Sequence, residues 1–262
     1  ALHLHVYYPD LWSEFAARLR SIEVDTDIYV TLTWRGEQTK WLADEIAEVL
    51  PHATIIPMAN KGRDILPFFR LINADAFEGY EAVCKIHTKK SPHRDDGADW
   101  RDRLVSGILP RAGLSHRLNR FIADPDAAFW VADGQSLPVS DWWGSNRDKT
   151  AAALRRIEMD IPGGDLRFPA GSMYWAKPLM IGLMRSLRLT DEMFEAEQGQ
   201  VDGTLAHAVE RGTGALALAA GQSIRETASL IPTIPSAPAT PRYVSAFYLP
   251  QFHPIPENDR WW

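Results

Sequence analysis

The chain is short of cysteine, of long apolar runs and of positive charge, and each shortage excludes a class of protein. A lone cysteine, Cys84, rules out an intrachain disulfide framework. It lies in an apolar strand-like run and reads as buried filler rather than a reactive thiol. No apolar run reaches the roughly 18 residues that a membrane-spanning helix needs. Lys and Arg number 28 against 34 Asp and Glu, a net charge of −6, which argues against nucleic-acid binding through a broad basic face. No internal repeat and no signal-peptide pattern is found, and the first residue, Ala rather than Met, reads as a trimmed start. These absences leave a soluble, cytoplasmic protein, one that meets the inner face of a membrane only through a lipid-linked substrate. With 262 residues, 45% apolar and 24% charged, the chain suits one large domain plus the start of another.

The pattern along the chain alternates strand and helix. Strands are predicted at 3–8, 27–33, 53–58, 82–86 and 127–132, with helices at 11–22, 40–50, 64–77 and 100–120, the last broken at Pro110. This rhythm predicts an α/β fold with a mostly parallel central sheet flanked by helices. Residues 92–97 read as a polar loop, and residues 133–172 as loops without a long periodic segment. A Gly-entered strand at 168–176, helices at 178–187 and 201–211, the second stopped by Gly212, and a strand at 215–219 complete a domain of residues 1–230. Four prolines in residues 231–241 mark 231–242 as a linker. Residues 243–262 open with a new strand.

The segment 55–91 holds the strongest local signal. A strand, the Gly turn Asn60-Lys-Gly-Arg-Asp64, a helix and a second strand lead to Lys85, His87, Lys89 and Lys90. In open α/β sheets the ligand crevice lies beyond the carboxyl ends of the strands, and a compact cationic group there suits a diphosphate. A solvated basic loop is the plain alternative. Gly62 and Asp64 read equally well as a turn and a helix N-cap, whereas Arg63 at a helix start adds a bidentate grip on an anion. Asp10, just past the first strand, is a nucleotide contact or a turn residue. Asp133 reads as a turn residue.

Four motifs in order, Asn60–Asp64, Cys84–His93, Phe168–Met173 and Asp202–Arg211, resemble the rhamnan synthesis protein F family across residues 3–225. That likeness implies a glycosyltransferase of the GT-A type, in which the nucleotide-binding half comes first. Residues 243–262 resemble the opening of a WbsX-type glycosyltransferase domain, of which only the first strand is present. GT-A enzymes usually place an Asp-X-Asp motif at the end of the fourth strand to hold a divalent cation. Here His87-Thr-Lys89 stands in that place. Imidazole and ammonium groups do not ligate a hard cation, but they can stand in for it beside a diphosphate. No metal and no other cofactor are therefore expected.

Inverting transfer needs a carboxylate to take the acceptor proton. In the GT-A type this base lies at the start of a late helix, which implies Asp202, with Glu197 as second candidate. The plain reading of Asp202 is a partner of the helix dipole. His207 and Arg211, four residues apart, reach either toward a phosphate or toward Glu195. Trp142, Trp143, Tyr174 and Trp175 are candidates for a sugar-stacking platform, or for core, and Ser172 for an acceptor contact. A serine-hydrolase role is excluded by the missing nucleophile elbow. The family likeness makes dTDP-L-rhamnose the simplest donor and a glycan or lipid-linked glycan the acceptor, with a WbsX-type domain as downstream partner. A catalytically silent glycan-binding or scaffold module is the second function left open.

Overall fold

The computed structural model describes residues 1–90 and 96–231. The expected loop at 92–97 lies mostly outside the described residues, as do the linker, apart from Ile231, and the strand beginning at 243. The elements in order are β1 (Leu2–Val6), α1 (Trp12–Leu19), β2 (Ile28–Thr33), α2 (Glu37–Val49), β3 (Thr54–Met58), α3 (Ile65–Asn73), β4 (Val83–His87), α4 (Gly97–Ile108) and α5 (Leu114–Ala123). Then follow β5 (Ala127–Val131), β6 (Ser136–Pro138), α6 (Arg147–Leu154), β7 (Arg167–Pro169), β8 (Tyr174–Ala176), α7 (Pro178–Ser186), α8 (Leu205–Ala219), β9 (Ser223–Glu226) and α9 (Thr227–Leu230).

Seven strands form one sheet in the order β3-β2-β1-β4-β8-β5-β9. Strands β1 to β4 pair in parallel, β8 runs antiparallel between β4 and β5, and β9 lies parallel to β5. Strands β6 and β7 form a separate antiparallel pair. The central strands β1, β4, β8 and β5 are buried on both faces, as expected of a doubly covered sheet, while the edge strands β3 and β9 are partly exposed. One core packs Leu2, Leu4, Val30, Cys84, Ile86, Trp130 and Trp175 against α1, α2, α4 and α5. The other packs Val83, Phe129, Val131 and Tyr174 against α3, α7 and α8.

On this second face the register places polar side chains in line: His3 opposite Lys85, and His5 opposite both Thr31 and His87. His3 and His5 share the Thr31 hydroxyl at 2.8 and 2.9 Å. Burial depresses both imidazoles, His5 to about 4, and keeps them neutral.

Several expected elements change shape. The predicted strand 168–176 is two strands, β7 and β8, separated by a turn in which Gly171 and Ser172 have φ of 81° and 57°. Helix α6 lies inside the segment expected to be loops. Gly212 does not stop α8, which runs on through the predicted strand 215–219. Gly214 explains why: a Cβ there would lie 1.8 Å from the Arg167 carbonyl oxygen, so glycine serves close packing on β7. The start of α8 also moves, from 201 to Leu205, capped by Thr204 and His207. Asp202 therefore lies before the helix rather than in its first turn. Asp133 accepts the Ala228 N–H at 2.8 Å and caps α9.

Candidate active site

Five chain segments meet at the carboxyl end of β4: the turn before α3, residues 87–90, the loop before α6, the turn between β7 and β8, and the start of α8. The turn before α3 depends on Gly62, whose φ is 64° and where a Cβ would lie 2.5 Å from the Leu66 side chain. That tight turn puts Asp64 over the sheet and Arg63 at its edge.

Beneath the site lies a buried charge knot. Lys85 is fully buried, and its ammonium donates to the Asp64 carboxylate, to the Ser172 carbonyl at 2.9 Å and to the Ser172 hydroxyl at 2.8 Å. Its three donors are thereby used. Burial opposes ionisation of Asp64, but His87, Lys85 and hydrogen bonds from Lys85 and Ser172 outweigh it and hold the carboxyl well below the usual range. His87 donates from Nε2 to the Gly171 carbonyl at 3.1 Å, with Nδ1 3.4 Å from Asp64. Burial lowers its pKa to about 3, so it is neutral.

Four sequence expectations are corrected by this knot. Lys85 and His87 do not face a diphosphate, because both are buried and bonded to protein. Asp64 pairs with Lys85 inside the fold, and the Ser172 hydroxyl is buried and taken by Lys85 rather than open to an acceptor. Each follows from strand geometry: alternate residues of β4 share one face, and here that face is covered by α3 and the Gly171–Ser172 turn.

The rim above the knot is different. Burial lowers the pKa of Lys89, against the opposing fields of Glu210 and Asp64. Its ammonium lies 4.6 Å from the Trp100 ring centre. Arg63 stands at φ 55°, in the left-handed region where a non-glycine residue is strained. Its backbone N–H donates to Glu197 at 3.2 Å and its guanidinium to the Gln200 carbonyl. The buried Arg63 Nε makes no hydrogen bond among the described residues and lies 4.0 Å from the Glu197 carboxylate. Lys90 and Asp10 pair with each other at 2.6 Å, both side chains exposed.

From α8, Glu210 accepts the Gly171 N–H at 3.0 Å and the Arg211 guanidinium at 2.7 Å. Arg211 also donates to the Trp142 carbonyl at 3.1 Å and covers the Phe168 ring at 4.6 Å. His207 accepts the Thr204 N–H through Nδ1. Burial and the neighbouring Arg63 lower its pKa. Neither His207 nor Arg211 reaches Glu195, which pairs with Lys149 and accepts the Leu205 N–H at 2.9 Å.

Asp202 is tied down. Its two oxygens accept the Ser145 N–H at 3.0 Å, the Ser145 hydroxyl at 3.1 Å and the Asn146 amide at 2.6 Å. Burial works against the charge, but these bonds and one from Gly203 prevail and lower the pKa to about 2. The approach is so close that a Cβ at Gly144 would lie 2.2 Å from the carboxylate. Of the aromatic candidates, Trp175 is core: it stacks on Trp130 at 6.2 Å and donates to the Ile108 carbonyl at 2.8 Å. Tyr174 is core on the opposite face, against Phe68 and Phe129. Trp143 packs against the core, while Trp142 is 50% exposed beside the site.

Sequence reasoning missed Glu210, Thr88, Ser145 and Asn146. Glu210 had a signal, since it follows His207 by three residues and so shares its helix face. Thr88 accepts the Tyr7 and Tyr8 N–H groups at 2.9 and 2.8 Å, closing the end of β1 onto β4. Among the described residues no three His, Cys, Asp or Glu side chains are grouped to hold a metal. The ammonium and imidazole groups at the end of β4 do not fit a hard cation either.

Residues 1–222 match the family described as Rhamnan synthesis protein F, and residues 244–262 match that described as Glycosyltransferase WbsX. The chain is also similar to the uncharacterized protein WxcX of Xanthomonas campestris pv. campestris, in two strains, at 34% identity over 215 residues. That alignment covers 80% of this chain and 30% of those proteins, so the chain spans about 30% of the length of these curated relatives. No helix among the described residues is long and apolar enough to cross a membrane.

Proposed function

The chain belongs to the rhamnan synthesis protein F family, and on that premise we propose that it is a glycosyltransferase building a bacterial surface polysaccharide. Its donor in this reading is a nucleoside-diphosphate 6-deoxyhexose, with dTDP-L-rhamnose suggested by the family description. Its acceptor is a glycan or a lipid-linked glycan. The observation that carries the reading is the gathering of Arg63, Lys89, His207 and Arg211 around Glu210 beyond the end of β4. That is the ligand crevice of an open α/β sheet, here lined with groups that attract a diphosphate.

Transfer with inversion would proceed by attack of an acceptor hydroxyl on the anomeric carbon as its bond to the diphosphate oxygen breaks. Negative charge grows on the leaving diphosphate, where Lys89 and Arg63 stabilise it directly. This makes the reaction metal-independent. The hydroxyl proton passes to a carboxylate. Asp202, saturated with hydrogen bonds and strongly acidic, is a poor acceptor for it. Glu197 carries fewer bonds: it accepts one main-chain N–H, and its second oxygen lies 4.0 Å from the Arg63 guanidinium in a long ion pair, so in this reading the base is Glu197. Asp202 becomes the residue that fastens the loop before α6 to the start of α8, and Trp142 the stacking surface for a sugar.

The test is release of nucleoside diphosphate from a panel of nucleotide sugars, with acceptor glycan and EDTA present. Turnover that persists in EDTA is expected. Loss of turnover that manganese or magnesium restores would overturn the metal-free mechanism. Glycan binding without any diphosphate release would favour the silent-module reading.

A further inference from the structure

A second cationic cavity opens at the opposite end of α3. Asn73, Ser186 and Thr190 line it together with Arg156, Arg185 and Arg188, and its volume is ≈ 750 Å³. Helix α3 begins beside Asp64 and ends at Asn73, so about 13 Å of helix separates the two places. The cavity has no carboxylate in its lining, on a chain whose net charge is −6. A second groove, between α1 and α4, also holds arginines, but there Glu14 and Asp102 line the wall and pair with Arg101 and Arg18. That groove neutralises itself.

The arginine cavity is also built, not accidental. Arg156 donates to the Leu187 carbonyl at 2.7 Å and to the Arg188 carbonyl at 3.1 Å, bracing the turn after α7. Within that turn Arg188 sits at φ 49°, a left-handed conformation that costs a non-glycine residue energy. Asn73 holds the next residue by donating to the Leu189 carbonyl at 2.9 Å. Arg185 is anchored to Asp75 outside the lining. Two arginines, Arg156 and Arg188, therefore keep net charge toward the cavity, while the Ser186 hydroxyl donates to the Gly182 carbonyl at 2.9 Å and that of Thr190 to Glu192. The guanidinium forks form the donor set for phosphate oxygens. The volume exceeds that of a bare ion and falls in the range of small-molecule sites.

We propose that this cavity is a second anion site, which binds a phosphate or diphosphate group carried on a larger ligand, separate from the donor crevice. The same chemistry is offered by a soluble phosphorylated compound and by the headgroup of a phosphorylated lipid. Calorimetric titration of the chain with inorganic diphosphate at fixed ionic strength should detect the site. In a Lys89→Ala background, which weakens the donor crevice, one diphosphate should still bind. Adding Arg156→Gln and Arg188→Gln, the two lining arginines without a carboxylate partner, should weaken it at least about tenfold. A parallel arm pellets the chain with phosphatidylcholine vesicles containing phosphatidic acid. Capture that the double Gln substitution abolishes assigns a lipid headgroup; soluble diphosphate binding without capture assigns a soluble ligand. Binding in either arm that survives the double substitution, or no binding in both, overturns the proposal. Because the comparison is made between two proteins that share the Lys89→Ala background, the result does not depend on whether the donor reading holds.

Discussion

Lys85 and Lys89 lie four residues apart at the end of one strand, yet they belong to different parts of the machine. Lys85 is fully buried and all three of its donors go to Asp64 and Ser172. Lys89 has left the strand, and its charge lies among Glu210, Asp64 and Arg63 at the crevice edge. The first cation organises the site by clamping the turn before α3 to the turn before β8. The second, in the function proposed above, acts on the donor. Position relative to the strand end, not residue type, separates scaffold from binding group, and the same division runs between Trp175 in the core and Trp142 on the surface.

The largest expected effects come from the scaffold side. Lys85→Met leaves the Asp64 charge buried without its main partner and should cost about 3–5 kcal/mol of unfolding free energy by denaturant titration. Trp175→Ala should cost a similar ~3–5 kcal/mol by emptying a core site. A loss under about 1 kcal/mol in either would place that side chain outside the scaffold. On the rim side, Lys89→Ala should leave stability nearly unchanged.

Acid should also act on the scaffold first. His3, His5 and His87 are held neutral by burial, with His5 near 4 and His87 near 3. The unfolded chain binds protons at these residues near pH 6.5 and the fold does not, so stability is full above that pH. It is lost as pH falls through 6.5 toward the folded values, by about 1.4 kcal/mol per pH unit for each histidine. Asp202 adds a loss only lower down, between the ordinary carboxylate range and about 2, since its folded pKa is depressed. Unfolding titrations from pH 8 to 4 should show the histidine slope, and His5→Gln should flatten it. A profile flat between pH 6.5 and 4.5 would contradict the buried neutral layer.

Chemistry should separate from structure at the carboxylates. Glu197→Gln should lower turnover at least about a hundredfold. Asp202→Asn keeps the shape but loses acceptor capacity toward Ser145 and Asn146, and should cost about 1–3 kcal/mol of stability. If Asp202→Asn abolishes turnover while the fold and Glu197→Gln activity stay intact, the base returns to Asp202. The smallest effect is expected at Trp142: Trp142→Ala should leave stability within about 0.5 kcal/mol and raise the acceptor KM.

Much of the sheet was legible in the sequence, because β1 to β5 are short segments rich in apolar, β-branched and aromatic residues bounded by turn residues. The cationic cluster after β4 was legible too, as was the place of Arg63 at a helix start. What the sequence did not disclose was depth. Lys85 and His87 look as polar as Lys89 in a one-dimensional pattern, and only the cover of α3 and the Gly171–Ser172 turn sends them inside. Gly212 reads as a helix stop because glycine is a poor helix former, whereas α8 runs on through it and Gly214, two residues later, uses its small size to pack on β7. Asp202 was found by its place near a late helix, but its bonds to Ser145 and Asn146 come from a loop more than fifty residues earlier in the sequence.

The division between scaffold and rim is tested most directly by titrating dTDP, in EDTA, into the parent chain and Lys89→Ala. The account predicts binding without metal in the parent, and a loss of about 1.5–3 kcal/mol in Lys89→Ala, the range for a charge-assisted hydrogen bond, at unchanged folding stability. Equal affinity in the two proteins, or binding that appears only when a divalent cation is added, would contradict it.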